Sequence, residues 1–240
     1  MIIKKIYSSN YSKKNRNIKQ IKVVVIHYTG MQSKIESIKR LVNPKHKVSC
    51  HYLIDRKGQV IQMVDENKTA WHAGKSKWKN FNNLNKNSIG IELVNKGHNF
   101  GYESFPYSQI NQLIKLCVYL KRKYGIKSSN IVGHSDIAPF RKKDPGEKFP
   151  WKKLSKKKIG IWYKIINFKS LPLSEKKTKE IFFTNLFKIG YRYFSKKKRG
   201  EKDLSVIKSF QRRFLPKNVT GILDQKTLKI SHFLANHLKN

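Results

Sequence analysis

The sequence contains little cysteine, few acidic residues and no long apolar run. Its two cysteines, Cys50 and Cys117, show no spacing that would indicate a disulfide framework or a zinc–thiolate site. Both are expected to be small buried apolar side chains. No apolar run approaches the length of a membrane-spanning helix, and residues 1–7 lack the apolar segment and cleavage site of a secretory signal. A hydrophobic fraction of 38% over 240 residues predicts a folded chain with one full-sized domain and a small second one.

The 14 acidic residues stand against 53 lysines and arginines, which gives a formal net charge of +39. A field of this sign favours nucleic acid, anionic membrane surfaces or another acidic polymer as a partner. The lysines are, however, spread along the whole chain, and no basic cluster lies in a recognisable nucleic-acid motif. We therefore interpret the charge first as a compositional habit and expect no specific nucleic-acid partner.

Residues 133–146 form the most informative stretch, because they combine a histidine, two carboxylates and three cations with prolines and a glycine. Such a composition predicts a shaped loop that can carry a metal or acid–base site. A distant partner is His27, which follows the apolar run of residues 22–26, a predicted buried strand. His27, His134 and Asp144 would form a set of ligands typical of catalytic zinc. The alternative is two ordinary buried histidines and a turn aspartate, and spacing alone does not decide between them.

Two further segments contain candidate site residues. Residues 88–94 predict a strand with one acid inside it, Glu92, and a buried lone carboxylate is costly unless it is paired or functional. The alternative for Glu92 is a salt bridge to a lysine. Residues 70–74 predict a loop in which small residues flank Trp71 and His72, so that a ligand can approach closely. Trp71 could stack on a sugar and His72 could donate a hydrogen bond, or both could be structural.

The remaining pattern predicts how the chain is organised. Residues 1–20 are expected to be a loosely held basic arm. Helices are predicted after Ser33 and over residues 106–125, and a hairpin over residues 51–63. After a lysine-rich link, three more helices are predicted, namely one around Ile181 to Phe187, one from Asp203 to Phe214, and one that starts at Asp224 and carries Leu228, Phe233, Leu234 and Leu238.

Five ordered motifs carry a family resemblance: residues 27–29, 49–55, 70–74, 88–93 and 134–151. Together they resemble the zinc-dependent N-acetylmuramoyl-L-alanine amidases, a superfamily shared with phage lysozyme-like amidases and peptidoglycan recognition proteins. The resemblance is to the branch that contains the bacterial AmiD and AmpD enzymes. Residues 209–214 and 221–224 with Thr227 resemble a three-helix peptidoglycan-binding domain. The implied fold is α/β, with a central mixed β-sheet flanked by helices and a small C-terminal three-helix domain. The implied division is an arm over residues 1–20, a zinc amidase domain over 21–165 and a peptidoglycan-binding domain over 174–240.

The resemblance also implies roles for single residues. His27, His134 and Asp144 become Zn²⁺ ligands, Glu92 the catalytic carboxylate and Lys142 the cation that stabilises the oxyanion. Asp136 is expected to accept hydrogen bonds in the loop rather than to bind the metal. The substrate-binding residues are expected to be Trp71, His72 and Ala73.

The implied reaction is hydrolysis of the amide between the lactyl group of muramic acid and L-alanine of the stem peptide. The substrate is peptidoglycan or a soluble 1,6-anhydro-muropeptide, and the carboxylates of the stem suit a basic protein. Rival hypotheses are a metal-free recognition module and a nucleic-acid-binding protein. The acylated cysteine of the family's lipoproteins is not found near residue 1, so membrane anchoring is not expected. The location stays open between the cell envelope and the cytoplasm, and a monomer is the expected state.

Overall fold

The computed structural model describes residues 2–164, 173–195 and 199–237. Its strands are β1 (Ile3–Lys5), β2 (Tyr11–Ser12), β3 (Val23–Tyr28), β4 (Tyr52–Ile54), β5 (Val60–Gln62), β6 (Thr69–Ala70), β7 (Lys77–Trp78), β8 (Phe81–Asn82), β9 (Ser88–Leu93) and β10 (Ile131–Gly133). Its α-helices are α1 (Lys34–Val42), α2 (Tyr107–Tyr124), α3 (His134–Ile137), α4 (Trp151–Ser155), α5 (Glu175–Ile189), α6 (Asp203–Phe214) and α7 (Gln225–His237). None of these helices, within the described ranges, is long and apolar enough to cross a membrane.

Six strands form a central mixed sheet in the order β1-β5-β4-β9-β3-β10. β3 pairs in parallel with β9 and with β10. These strands are rich in valine and isoleucine and are buried on both faces, as parallel strands usually are. β4 and β5 form the predicted antiparallel hairpin. The predicted mixed sheet with flanking helices is therefore confirmed.

One face of the sheet is covered by α2, the helix predicted for residues 106–125. Leu113 and Leu116 of α2 belong to one buried apolar cluster with Val24 and Ile26 of β3. Gly125 ends the helix at φ 62°, a left-handed conformation that glycine adopts without a Cβ penalty. This face of the sheet is thus closed by ordinary hydrophobic packing.

The opposite face is covered by α1 at one side and by the C-terminal helices at the other. α1 begins at the predicted N-cap, where the Ser33 hydroxyl accepts the Glu36 amide hydrogen at 3.1 Å. Val23 and Val25 of β3 share a buried cluster with apolar side chains of α5, α6 and α7, among them Phe182 and Phe210. The sheet and the C-terminal helices therefore share one continuous core.

The three helices predicted near the C-terminus are confirmed as elements, and Asp224 receives the Thr227 amide hydrogen at the start of α7. Leu238, which was predicted to belong to the last helix, lies outside the described residues, as do the ends of the predicted domains at 165 and at 238–240. The division into a catalytic and a peptidoglycan-binding domain stays a prediction.

The expectation of a loosely held N-terminal arm is wrong. Residues 3–5 form β1, which extends the central sheet by pairing in parallel with β5. Further along, the Arg16 guanidinium donates to the carbonyls of Glu66 at 2.9 Å and of Ser88 at 2.6 Å. Backbone pairing and these hydrogen bonds fix a segment whose composition alone indicated a coil.

Candidate functional site

The carboxyl ends of three parallel strands bring the candidate residues together. His27 on β3 lies directly opposite Glu92 on β9 in the strand register. Because residues in register on parallel strands point to the same side of a sheet, both side chains project from the same face. β10 lies on the other side of β3, and the chain turns directly from Gly133 into α3, which begins with His134.

The loop after α3 returns Asp144 to the same place. The Ser135 amide donates to the Asp144 carbonyl at 2.8 Å, which ties the two ends of the loop together. The next residue, Pro145, packs so closely on Gly133 that a Cβ there would lie 2.6 Å from the proline Cδ. Glycine is therefore required at position 133 for the close approach of the two segments.

One atom from each of the two histidines and the aspartate lies close to the other two atoms. The distances are 2.9 Å between the Nδ1 atoms of His27 and His134, 3.0 Å from His27 Nδ1 to Asp144 Oδ2, and 3.1 Å from His134 Nδ1 to the same oxygen. All three side chains are buried. Within the described residues they form a group of histidine and carboxylate ligands able to hold a metal ion.

A chain of hydrogen bonds assigns the proton on His27. The Ser88 hydroxyl donates to the Leu84 carbonyl at 2.5 Å, so its oxygen is left to accept from His72 Nε2 at 3.2 Å. His72 Nδ1 is then an acceptor, and it receives the proton of His27 Nε2 at 3.0 Å. In the neutral ring of His27, the Nδ1 lone pair therefore points to His134 and Asp144.

A hydrogen bond also assigns the proton on the ring of His134. Its Nε2 lies 3.1 Å from the Ala73 carbonyl, which can only accept, so Nε2 carries the proton and Nδ1 of the neutral ring has a lone pair. Two nitrogen lone pairs and a carboxylate oxygen thus face one another at about hydrogen-bond distance with no proton between them. Such a set repels itself unless a cation sits among the three atoms, so the residues fit a divalent metal.

The charge states of the group agree with metal binding. Burial, with a contribution from the neighbouring His134, lowers the pKa of His27 to about 4, so its imidazole is neutral near pH 7. Burial alone would raise the pKa of Asp144, but interaction with His134 and His27 outweighs it and holds that pKa well below its usual range. A neutral imidazole and an ionised carboxylate are the forms that bind metal.

Glu92 lies beside this group, and one of its oxygens has no partner among the residues that the structure describes. Its Oε2 is buried and makes no hydrogen bond to any described residue. Burial, followed by the nearby charge of Asp144, raises the pKa of Glu92 to about 8, while Lys142 acts in the opposite direction. A carboxylate that gains and loses a proton near neutral pH is suited to acid–base chemistry.

These residues line a cavity of about 410 Å³, which we call the site cleft; its wall includes His27, His72, Glu92, His134, Lys142 and Asp144. Trp71 also lines the site cleft and is partly exposed, with its indole nitrogen donating to the Ser12 hydroxyl at 3.3 Å. The structure therefore brings Lys142, Trp71 and His72 to the same cleft as the predicted metal ligands and Glu92.

Two of the predicted substrate-binding residues are also engaged by the protein. Both ring nitrogens of His72 have protein partners, namely His27 and Ser88. Ala73 is buried, and its carbonyl accepts from His134 and from Arg141. Their contact with a substrate stays a prediction, whereas their contact with the two histidines is a feature of the structure.

Sequence reasoning missed Ser88 and Arg141. Ser88 lies four residues before Glu92 on β9, so the period-two pattern of a strand places it on the same face and was a usable signal. Arg141 joins the carbonyls of Ala73 and Lys75 to the loop that carries Asp144, and no local pattern indicates these remote partners. Asp136, predicted as a hydrogen-bond acceptor, accepts the Gly133 amide hydrogen at 2.8 Å and the Tyr191 hydroxyl at 2.7 Å.

Comparison with known proteins agrees with the family resemblance of the sequence motifs. Residues 17–147 match the sequence model of the Amidase_2 family, described as N-acetylmuramoyl-L-alanine amidase. Over 155 residues the chain is 41% identical to N-acetylmuramoyl-L-alanine amidase AmiD of Escherichia coli strain K12, a match that covers 60% of this chain and 55% of that protein. The chain spans about half the length of the curated relatives it matches.

Solved structures align over more of the chain. E. coli AmiD, in complex with the substrate anhydro-N-acetylmuramic acid-L-Ala-D-γ-Glu-L-Lys, aligns with a TM-score of 0.80 at 32% identity and covers 95% of this chain and 92% of that one. AmpDh3 of Pseudomonas aeruginosa aligns with a TM-score of 0.79 at 30% identity and covers 97% and 98%. The fold expected from the motifs is therefore confirmed.

Proposed function

This chain belongs to the N-acetylmuramoyl-L-alanine amidase family, and from that premise we propose that it hydrolyses the amide between the lactyl group of N-acetylmuramic acid and L-alanine of the stem peptide. The observation that carries the proposal is the convergence of two imidazole lone pairs and a carboxylate beside the partnerless oxygen of Glu92. A ligand set and an adjacent acid–base group are the two parts that metal-assisted amide hydrolysis needs.

His27, His134 and Asp144 would hold the metal, which we propose to be zinc. Two imidazoles and one carboxylate are a ligand set that catalytic zinc uses while it keeps one position for water or substrate. A bound zinc ion would polarise the scissile carbonyl and lower the pKa of the attacking water. The hydrogen bonds from His27 to His72 and from His134 to the Ala73 carbonyl fix both rings in the orientation that this role requires.

Glu92 and Lys142 would act on the reacting atoms directly. As general base, Glu92 takes a proton from the attacking water while the water oxygen bonds to the lactyl carbonyl carbon. As general acid, it returns that proton to the amide nitrogen as the C–N bond breaks, which leaves a lactyl carboxylic acid, which then releases its proton to water, and a free alanine amino group. Lys142 lines the site cleft and would stabilise the negative charge that develops on the carbonyl oxygen.

The substrate class follows from the relatives. The E. coli AmiD structure contains an anhydro-muramyl tripeptide and an AmpDh3 structure an anhydromuramic pentapeptide. We propose that this chain accepts the same class of muropeptide, with the exposed part of Trp71 offering an apolar face to it.

The test is hydrolysis of anhydro-N-acetylmuramyl-L-Ala-D-γ-Glu-L-Lys by the zinc-loaded protein, followed by mass spectrometry of the released peptide. We expect tripeptide and anhydro-N-acetylmuramic acid, loss of turnover after chelation, and recovery with one equivalent of zinc. The same assay with intact sacculi shows whether polymer is also a substrate. Binding of the muropeptide without any hydrolysis would contradict the proposal and favour a non-catalytic recognition module.

A further inference from the structure

A second cavity lies on the other side of the loop that carries Lys142. It has a volume of about 340 Å³ and is bounded by residues of the 139–143 loop and of α6. Arg141, Lys142 and Lys143 line both this cavity and the site cleft, so the two spaces adjoin across these three side chains. We call the second space the cationic cavity.

Five of the residues around the cationic cavity are cations, and none is acidic: Arg141, Lys142, Lys143, Lys208 and Arg212. The ammonium groups of Lys143 and Lys208 make no hydrogen bond or ion pair with any part of the chain that the structure describes. Arg212 comes no closer than 3.9 Å to its carboxylate neighbour, Glu147. Glu147 therefore offsets part of the charge of Arg212, whereas the charges of Lys143 and Lys208 have no carboxylate partner among the described residues.

The basic composition of the chain does not by itself produce such a cavity. A larger cavity of about 750 Å³ beside α5 is lined by Lys176, Lys179 and Lys188 together with the carboxylates Glu175 and Glu180. Both signs of charge are mixed there, and Lys179 pairs with Glu175. The absence of an acid among the residues that line the cationic cavity is thus a local feature of the 139–143 loop and α6.

The cationic cavity also has an apolar edge. Phe140 is 42% exposed and lines the cavity next to Lys143. The Lys202 ammonium group lies 5.6 Å from the centre of the Phe140 ring on the outer side. A fitting ligand would combine an anionic group with a short aliphatic stretch.

We propose that the cationic cavity binds a free carboxylate of the stem peptide, an inference that rests on the proposed function. A D-glutamate joined through its γ-carboxyl keeps its α-carboxylate, and that residue is the second one after the scissile amide. Two extended residues span about 7 Å. Because Arg141, Lys142 and Lys143 line both spaces, a peptide that left the site cleft past Lys142 would bring this second residue towards the cationic cavity. Charge-assisted hydrogen bonds from lysine to a carboxylate would hold it there.

Three substrates distinguish which carboxylate of the stem peptide binds in the cationic cavity. They are the anhydro-muramyl tripeptide, its D-isoglutamine analogue with the α-carboxylate amidated, and its C-terminal amide. Dissociation constants are measured by calorimetry with Glu92→Gln, which should bind without turnover. We expect the D-isoglutamine analogue to bind on the order of tenfold more weakly than the parent, and the C-terminal amide to bind like the parent.

Lys208→Gln then tests whether the cavity is responsible. Combined with Glu92→Gln, it should bring the ratio of the two dissociation constants near one, whereas Lys208→Arg should keep most of the preference. Lys115→Gln, an exposed lysine on α2, makes the same charge change on the other side of the sheet and should keep the full ratio.

Equal binding of the parent and the D-isoglutamine analogue would overturn the proposal, as would a preference that Lys208→Gln leaves intact. A preference confined to the C-terminal carboxylate would overturn the assignment to D-glutamate. Because these are binding constants, they decide the role of the cavity even if the zinc-loaded protein hydrolyses none of the three compounds. The latter result would contradict the proposed function instead.

Discussion

The two faces of the central sheet are closed in different ways. On one face, Val24 and Ile26 of β3 meet α2 in a cluster of apolar side chains. On the other face, the same strand presents Val23, Val25 and then His27, and its cover includes the C-terminal helices. Successive side chains of β3 point to opposite faces of the sheet. The strand therefore places apolar side chains that stabilise the fold on one face and His27, a residue of the candidate site, on the other.

The chemical face needs polar contacts that the apolar face does not. Arg213 on α6 pairs with Asp136 at 2.5 Å, and both side chains are almost fully buried. The Ser209 hydroxyl, also on α6, donates to the Ser135 carbonyl at 2.7 Å. These bonds hold the turn that begins with His134, so the C-terminal helices help to position a proposed metal ligand. The helices after residue 173 are therefore part of the support of the site.

Substitutions of two neighbouring residues on β9, one on each face of the sheet, should differ most in their effects on turnover and stability. Glu92 points to the chemical face, whereas Ile91 belongs to the apolar cluster on the other. Glu92→Gln should lower kcat by about 10²–10⁴-fold while zinc stays bound, because the general base is lost. Ile91→Val should cost roughly 1 kcal/mol of unfolding free energy and keep the turnover. Near-wild-type turnover of zinc-loaded Glu92→Gln would refute the role of this carboxylate.

Removal of Arg213 tests the coupling of the C-terminal helices to the site. Arg213→Met leaves Asp136 buried without its charged partner, so we expect a loss of about 3–5 kcal/mol in unfolding free energy. Zinc affinity should fall as well, because the turn that begins with His134 is released. Arg122→Met, an exposed arginine of α2, should change the stability by less than about 0.5 kcal/mol. Unchanged zinc affinity in Arg213→Met would show that the turn is held without Arg213.

A core substitution on the apolar face should affect stability alone. Leu113→Ala in α2 removes a fully buried side chain and should cost about 2–5 kcal/mol in unfolding free energy. The zinc dissociation constant of the folded fraction should not change, since Leu113 packs on the face of β3 opposite to His27. Chemical denaturation and competition with a chelator measure the two quantities. If both changed together, as in Arg213→Met, the distinction between the faces would be lost.

The smallest of these effects concerns the hydrogen bond between two histidines. His72→Phe keeps a ring of similar shape but removes the acceptor for His27 Nε2–H. Loss of such a partner behind a metal ligand should weaken zinc binding by about 10- to 100-fold. His46→Phe, at an exposed residue of the short 3₁₀ helix Pro44–His46, provides the control and should bind zinc like the wild type. Equal affinities of the two variants would mean that His27 needs no partner to hold its ring.

Much of this architecture could be predicted from local patterns. The apolar run before His27, the lone acid in residues 88–93 and the helix that ends at Gly125 all depend on contacts whose period is visible in the sequence. The ordered motifs predict that His27, His134, Asp144 and Glu92 belong to one site. The structure places the four side chains around one cleft. Their roles in binding and catalysis remain predictions.

Local sequence patterns did not predict the contacts between remote segments. The Arg213–Asp136 pair joins positions on different elements, and nothing in either local stretch specifies the partner. The cationic cavity likewise arises where a loop and α6 approach each other. The N-terminal segment was misjudged for the same reason, since its polar composition does not reveal that β5 offers it a free strand edge. Tertiary proximity, which local propensity does not contain, decides these features.

If the residues on this face of the sheet direct water to the lactyl carbonyl, as we propose, isotope labelling should locate the water oxygen in the products. The zinc-loaded protein is incubated with the anhydro-muramyl tripeptide in H₂¹⁸O, and both products are analysed by mass spectrometry. We expect one ¹⁸O atom in the lactyl carboxylate of the anhydro-N-acetylmuramic acid and none in a tripeptide with a free alanine amino group. Label in the peptide, or cleavage at any other bond, would contradict it.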